Sequence, residues 1–222
     1  MKIIVFVFSF GLLALISGCG EKPKNVMMGD TVVKFTSPPG YCLSELGYPL
    51  RRDQLGILQK FISENLSVFA IYVPCERRLV SEGYAVVYIK TDQIGKRYSN
   101  HVDQFAQNMG KIFHEMKDNE FNEIQKGAVE AITKNDPYIK EVNTKITGVY
   151  SDELAAYVSS EGTLMVAGGE KVNVISKVAS SLIEGKPLVL MMVYTSLPGQ
   201  NKPLGVNVID VESWVESMHD VN

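Results

Sequence analysis

Five short segments in the last third of the chain combine β-branched and aromatic residues and are separated by turn residues. The segments are residues 145–150, 154–159, 163–167, 172–178 and 188–195. Serine, aspartate, glycine and proline mark the gaps at residues 151–152, 160–162, 168–169 and 184–187. This spacing predicts an antiparallel meander. The last segment is apolar on both faces, so we expect it at the centre of the sheet.

The remaining segments predict three further strands and several helices. The strand candidates are residues 31–35, 68–73 and 84–90. Helical periodicity covers residues 52–65 and 100–117, with a second apolar stripe over 121–134. Asp210 begins a last helix, whose apolar side chains are Val211, Trp214, Val215 and Met218. This order predicts an α+β domain, with helices covering a mainly antiparallel sheet.

The same order of elements over residues 31–222 resembles the PsbP-like fold, an α-β-α sandwich. That fold occurs in a photosystem accessory protein and in a small bacterial lipoprotein. The segments Gly40-Tyr41-Cys42 and Val73-Pro74-Cys75, with the strand after Gly185-Lys186-Pro187, also resemble secreted proteobacterial proteins. The PsbP-like resemblance implies an accessory or assembly role without catalysis.

The N-terminus carries a short apolar run behind a single basic residue. Lys2 is followed by 14 residues without charge, from Ile3 to Ile16. A helix that crosses the hydrocarbon core needs about 20 apolar residues. The apolar region of a secretory signal peptide spans roughly 7–15 residues. The length therefore predicts an export signal.

The residues Ile16-Ser17-Gly18-Cys19 resemble the lipobox of bacterial lipoproteins. That resemblance implies a signal peptide at residues 1–18 and acyl chains on Cys19, and more than one chain is what stable anchoring requires. Gly20 stands where an aspartate would favour the inner membrane, so the resemblance implies the outer membrane, facing the periplasm. The inner membrane and the cell surface are the alternatives. Residues 19–30 lack periodicity and predict a tether, followed by one domain at 31–222.

Charge argues against a nucleic-acid or polybasic membrane-binding role. Beyond residue 18 the chain has 21 basic and 25 acidic residues, because Lys2 is the one charged residue in the signal. Nucleic-acid-binding proteins carry a basic stripe, and lipid-binding segments carry clusters of lysine and arginine. Neither occurs in this sequence. We predict two kinds of partner: the membrane, bound through the lipid on Cys19, and envelope proteins.

Once Cys19 is assigned to lipidation, two cysteines remain, Cys42 and Cys75. The predicted compartment is one in which disulfides persist. We predict a structural disulfide, with free thiols or a redox pair beside Arg77 and Arg78 as the alternatives. A bridge would bring two arginine pairs toward one end of the sheet, where guanidinium groups could bind a carboxylate or phosphate. These pairs are Arg51-Arg52 and Arg77-Arg78. The alternative is that each pair is simply solvated.

Catalytic motifs are not found in the sequence. His101 and His114 are 13 residues apart and fall on different faces of one predicted helix, and His219 lies in an end turn that we expect to fray. We predict no catalytic residues, no metal and no cofactor. The predicted function is a non-enzymatic binding or accessory module of the cell envelope. The alternatives are an enzyme with a site around Arg77, His101 or His114, and a carrier of a small apolar ligand.

Overall fold

The computed structural model describes residues 23–43, 66–75, 83–98, 101–116, 139–166, 169, 171–196 and 210–222. The signal peptide, Cys19 and the four arginines of the predicted anion site lie outside these residues. The predicted helix at 52–65 and the apolar stripe at 121–134 also lie outside them.

Nine strands are found in the described part of the chain. They are β1 (Lys24–Met28), β2 (Thr31–Phe35), β3 (Tyr41–Leu43), β4 (Leu66–Pro74), β5 (Gly83–Lys90), β6 (Ile139–Ser151), β7 (Ala155–Val166), β8 (Lys171–Ile183) and β9 (Lys186–Ser196). Strands β1 and β2 form a hairpin, and the others form a seven-stranded sheet in the order β3-β4-β5-β9-β8-β7-β6. Each neighbouring pair is antiparallel. The predicted α+β fold class is confirmed, and β9 lies at the centre of the sheet as expected.

The predicted tether over residues 19–30 is wrong from Lys24 onward. Lys24 to Met28 pair with β2 across a two-residue turn, Gly29-Asp30, in which Gly29 has φ 66°. Glycine accepts this positive φ without the clash that a side chain would create. Met28 on β1 and Val33 on β2 are buried. Burial of such inward-facing residues therefore stabilises β1, although its sequence shows little alternation of polar and apolar residues. The folded domain therefore includes Lys24–Met28 and does not start at residue 31.

Two predicted strands, 154–159 and 163–167, are one continuous strand, β7. Ser160 and Gly162 pair with Ser176 and Val174 of β8, so the ladder passes straight through the predicted turn. Gly162 serves a different purpose. A Cβ atom there would lie 2.1 Å from the carbonyl oxygen of Asn143 on β6. Glycine in a strand can mark such a close backbone approach as well as a turn.

One face of the sheet, the inner face, is covered by the β1–β2 hairpin and helix α2 (Val211–Asp220). All four apolar residues predicted for α2 are buried in this core. The Trp214 ring meets the Tyr72 ring edge to face at 5.7 Å, and Phe35 of the hairpin meets Phe69 in the same way at 6.3 Å.

Helix α1 (Val102–Glu115) packs against β6, β7 and β8. It lies within the helix predicted at residues 100–117. Alternation along the strands places Ala156, Val158 and Leu182 on the face opposite the inner core, and all three are buried. Ala106 and Gly110 are the buried residues of α1. No helix among the described residues has the length and apolar character to cross a membrane.

Candidate functional site

The predicted disulfide between Cys42 and Cys75 is present, with a Cα–Cα distance of 5.0 Å. It lies at the edge of the sheet, where Cys42 on β3 pairs with Val73 on β4. The Cys75 amide donates a hydrogen bond to the Gly40 carbonyl at 3.0 Å, which closes the same corner. Arg51, Arg52, Arg77 and Arg78 are outside the described residues, so the anion site stays a prediction.

The two histidines of the predicted helix are not brought together. His101 precedes α1 and His114 lies in its last turn, and both side chains are exposed. Thirteen residues at 1.5 Å each separate them by about 20 Å along the helix axis. Arg77, the third residue of the enzyme hypothesis, is outside the described residues.

A small cleft lies where the β8–β9 turn meets the start of α1 and the end of α2. Its volume is about 170 Å³. Its lining residues are Val102, Leu182, Ile183, Glu184, Gly185, His219 and Asn222. Both residues of the turn have positive φ, Glu184 at 51° and Gly185 at 74°, as a type I′ hairpin turn requires. The cleft is thus lined by an imidazole, a carboxylate and an amide.

His219 of this cleft bonds to a buried serine. Its Nε2 lies 2.9 Å from the Ser181 Oγ, and Ser181 is fully buried. The Ser181 hydroxyl also donates to the Leu154 carbonyl at 2.7 Å. A hydroxyl has one proton to donate, so His219 must be the donor through Nε2. This is the reverse of a catalytic serine–histidine pair, in which the imidazole accepts the serine proton.

The His219 side chain is half-buried and belongs to α2, so the prediction of a frayed turn at this residue was wrong. Burial lowers the pKa of His219 below its usual value, and the Asp152 and Asp220 carboxylates oppose part of that shift. The imidazole is therefore biased toward its neutral form, which can keep Nε2–H directed at Ser181.

Asp152 completes a serine, histidine and aspartate grouping, but its oxygens are bonded elsewhere. Its Oδ1 accepts hydrogen bonds from the Leu154 and Ala155 amides at 2.8 and 2.9 Å. Its Oδ2 accepts the Tyr157 hydroxyl at 2.9 Å. Burial, and then this hydrogen bond, raise the pKa of Tyr157 well above its usual value. Asp152 fixes the β6–β7 turn and does not orient the imidazole.

Lys186 is fully buried at the start of β9, a feature that the sequence analysis missed. Its Nζ donates to the carbonyls of Ile94 and Lys96 at 3.1 and 3.0 Å. The exposed carboxylate of Asp30, in the hairpin turn, lies 3.9 Å away. The Tyr98 amide donates to the Gly185 carbonyl at 2.9 Å. Lys186 thus joins the β1–β2 turn to residues 91–98, which precede α1 in the chain.

Metal binding has no candidate in the described part of the chain. No group of three or more histidine, cysteine, aspartate or glutamate side chains is arranged there to hold an ion. The polar groups that are brought together bond to backbone atoms or to each other. Their arrangement can stabilise turns and helix ends.

Comparison with solved structures gives only distant likeness. No protein-family model and no curated protein matches the chain. Among solved structures, the chain is similar to the solution structure of cyanobacterial PsbP from Synechocystis sp. PCC 6803. The match covers 95% of each chain at 13% identity, with a TM-score of 0.34. A likeness of this degree leaves the function to be argued from the chain's own residues.

Proposed function

We propose that this chain is a bacterial lipoprotein, anchored to the outer membrane by acyl chains on Cys19 and facing the periplasm. Its domain acts there as a non-enzymatic binding or accessory module for envelope proteins. The observation that carries the proposal is the apolar run from Ile3 to Ile16, which leads directly into Ile16-Ser17-Gly18-Cys19.

The disulfide supports an extracytoplasmic compartment. Disulfides form and persist in oxidising compartments and are rare in the cytosol. The Cys42–Cys75 bond joins β3 to the residue that follows β4, and these two strands are already paired. Such a bond fits a structural role better than a redox role, because redox-active cysteines usually lie in a C-x-x-C motif, whereas Cys42 and Cys75 are 33 residues apart.

The hydrogen bonding of the buried polar groups supports a binding module over an enzyme. Ser181 is fully buried and its hydroxyl donates a hydrogen bond to a backbone carbonyl, so it is not available as a nucleophile. The cleft beside His219 measures about 170 Å³, below the range of about 300–1,000 Å³ typical of small-molecule sites. Its size disfavours a ligand-carrier function for this cleft.

The anchor is tested by labelling cells with an alkyne analogue of palmitate. We expect the wild-type protein to be labelled and to fractionate with the outer membrane, because the Cys19 thiol accepts the lipid. Cys19→Ser should lose the label, whereas the matched control Gly18→Ala keeps a small residue before the cysteine and should retain it. An unlabelled wild-type protein would contradict the proposal.

The non-enzymatic role is tested with Ser181→Ala and His219→Gln in a strain that lacks the wild-type gene. Both variants should restore the wild-type envelope phenotype as long as they accumulate with the disulfide formed. A folded Ser181→Ala protein that failed to restore it would favour an enzyme. Photo-crosslinking from the exposed residues Lys145 and Glu161 on β6 and β7 would then identify envelope partners of the module.

A further inference from the structure

The β1–β2 hairpin exposes two large apolar side chains directly opposite each other. Met27 pairs with Val32, and their exposed fractions are 63% and 46%. The inward-facing residues of the hairpin, among them Met28 and Val33, are fully buried in the core. The outward pair therefore forms an apolar surface that the described part of the domain does not cover.

This surface lies close along the chain to the proposed lipid anchor. Lys24, the first residue of β1, is five residues from Cys19. A fully extended chain spans at most about 3.6 Å per residue, so β1 begins within about 18 Å of the Cys19 Cα atom. Met27 follows about 10 Å further along the strand. Acyl chains would hold Cys19 at the membrane surface, so the hairpin could never leave the neighbourhood of the bilayer.

The hairpin is also fixed to the rest of the domain. The Lys34 amide donates to the Asn222 Oδ1, and the Asn222 Nδ2 donates to the Lys34 carbonyl, both at 2.8 Å. The Asn222 side chain thus bonds both backbone groups of one residue on the free edge of β2. The Trp214 Nε1 donates to the Thr36 carbonyl at 2.9 Å just beyond the strand. Because of these bonds, the orientation of the hairpin surface also sets the orientation of α2.

We infer that the outer face of the β1–β2 hairpin rests on the phospholipid surface, with Met27 and Val32 in the interfacial region. The inference rests on the proposed acylation of Cys19. On the same face, Asn25 pairs with Lys34 one step further from the turn, and both are exposed. The Lys34 Nζ donates one hydrogen bond to the Val221 carbonyl at 2.9 Å, and an ammonium has two further donors. The Asn25 amide and these remaining donors suit the headgroup level, while the apolar pair suits the boundary with the acyl chains.

A phospholipid bilayer is the occupant favoured over another protein because the anchor keeps it within reach at all times. Tethering raises the effective concentration of a nearby surface, so even a small contact is occupied. The other exposed large hydrophobic residues in the described part of the chain are Tyr98, Ile112 and Tyr150. None of them is as close in sequence to Cys19 as this pair.

The test places an environment-sensitive fluorophore on Met27→Cys in the acylated protein. The thiols of Cys19, Cys42 and Cys75 are then consumed by acylation and the disulfide, so the new thiol reacts alone. Ile112→Cys is the matched control, because Ile112 is 50% exposed on α1, at the other face of the sheet. Both proteins are reconstituted into phosphatidylethanolamine–phosphatidylglycerol vesicles and quenched with doxyl-labelled lipid or with iodide.

We expect doxyl lipid to quench the probe at position 27 several-fold more strongly than the probe at 112, and iodide to quench the probe at 112 more strongly. Equal exposure of both probes to iodide, with the protein still floating with the vesicles, would overturn the inference and leave the anchor intact. An apolar environment at position 27 that needs no vesicles would also overturn it and would indicate a second copy of the chain. Failure of the acylated protein to float would overturn the proposed anchor itself.

A second variant guards against a perturbation by the probe at Met27. The fluorophore is moved to Asn25→Cys on the same face, with and without the double change Met27→Ser and Val32→Ser. We expect the double change to reduce doxyl-lipid quenching a few-fold while flotation is unchanged. Undiminished quenching would show that the apolar pair does not make the contact.

Discussion

The two layers that cover the sheet are attached in different ways. The inner-face layer is held by bonds between residues far apart in the chain. Trp214 bonds to Thr36, which joins α2 to the hairpin, and His219 bonds to Ser181, which joins α2 to β8 of the sheet. In the described part of the chain, α1 is attached by close approach instead. Gly110 lies so near β6 that a Cβ atom would be 2.9 Å from the Ser151 Oγ. The inner-face layer depends on long-range hydrogen bonds, and α1 depends on close packing against the sheet.

Loss of Trp214 should have the largest effect on stability, because this residue both packs in the core and bonds α2 to the hairpin. Trp214→Ala removes the ring packed on Tyr72 and the hydrogen bond to the Thr36 carbonyl. We expect the free energy of unfolding to fall by about 3–5 kcal/mol. Phe105→Ala on α1 should cost about 1–2 kcal/mol, because that ring is only half-buried. Urea unfolding measures both, and equal losses would remove the distinction between the layers.

Lys186→Ala tests whether the two layers are coupled. The change leaves the Ile94 and Lys96 carbonyls without their donor. We expect a loss of about 1.5–3 kcal/mol, typical of hydrogen bonds to a buried charged group. Hydrogen exchange should speed up at the Tyr98 amide and in the hairpin, because Lys186 lies between them.

Lys96→Ala is the matched control for that change. The Lys96 side chain is 56% exposed and pairs with Asp92 at the surface, so its removal should alter stability by no more than about 0.5 kcal/mol. Similar losses from the two lysines would contradict the buried role of Lys186.

Gly110→Val tests the fit of α1 by volume. The new side chain would meet the Cβ and Oγ atoms of Ser151, so we expect the free energy of unfolding to fall by about 1–3 kcal/mol. Adding Ser151→Gly removes those atoms and should restore part of the loss. A neutral Gly110→Val would show that the helix can move away without cost.

The smallest effect is a pH dependence confined to the inner-face layer. Burial lowers the pKa of His219 in the folded state, so the unfolded chain takes up a proton first as the pH falls. Stability is therefore complete above the unfolded pKa of about 6.5 and declines below it, down to the lowered folded value. Unfolding at pH 7.5 and 5.5 should show this decline in the wild type and less of it in His219→Gln. An identical decline in both would place its origin in other groups.

Local patterns in the sequence predicted the strands and the faces of the helices. Alternation and apolar runs located β2, β4, β5 and the central β9, and the spacing of Val211, Trp214, Val215 and Met218 predicted the buried face of α2. Strand β1 was missed because Met27 and Met28 blur the alternation on the two sides of the strand. Its signal was the Gly29-Asp30 pair between two apolar stretches, a recognised hairpin turn.

The polar network could not be predicted, because its partners are distant in sequence. Lys186 bonds to a carbonyl 92 residues away, and His219 lies 38 residues from Ser181. No local spacing indicates such pairs. Lysine is seldom buried unless its charge is paired, so sequence alone placed Lys186 in an ordinary exposed turn.

The most direct test of the lipid anchor and the disulfide is the intact mass of the protein purified from its native membrane, with and without reductant. We expect the mass of residues 19–222 plus acyl chains, increased by two hydrogen atoms when the Cys42–Cys75 bond is reduced. A mass without acyl chains, or one that includes residues 1–18, would contradict the anchor. A mass unchanged by reductant would contradict the disulfide.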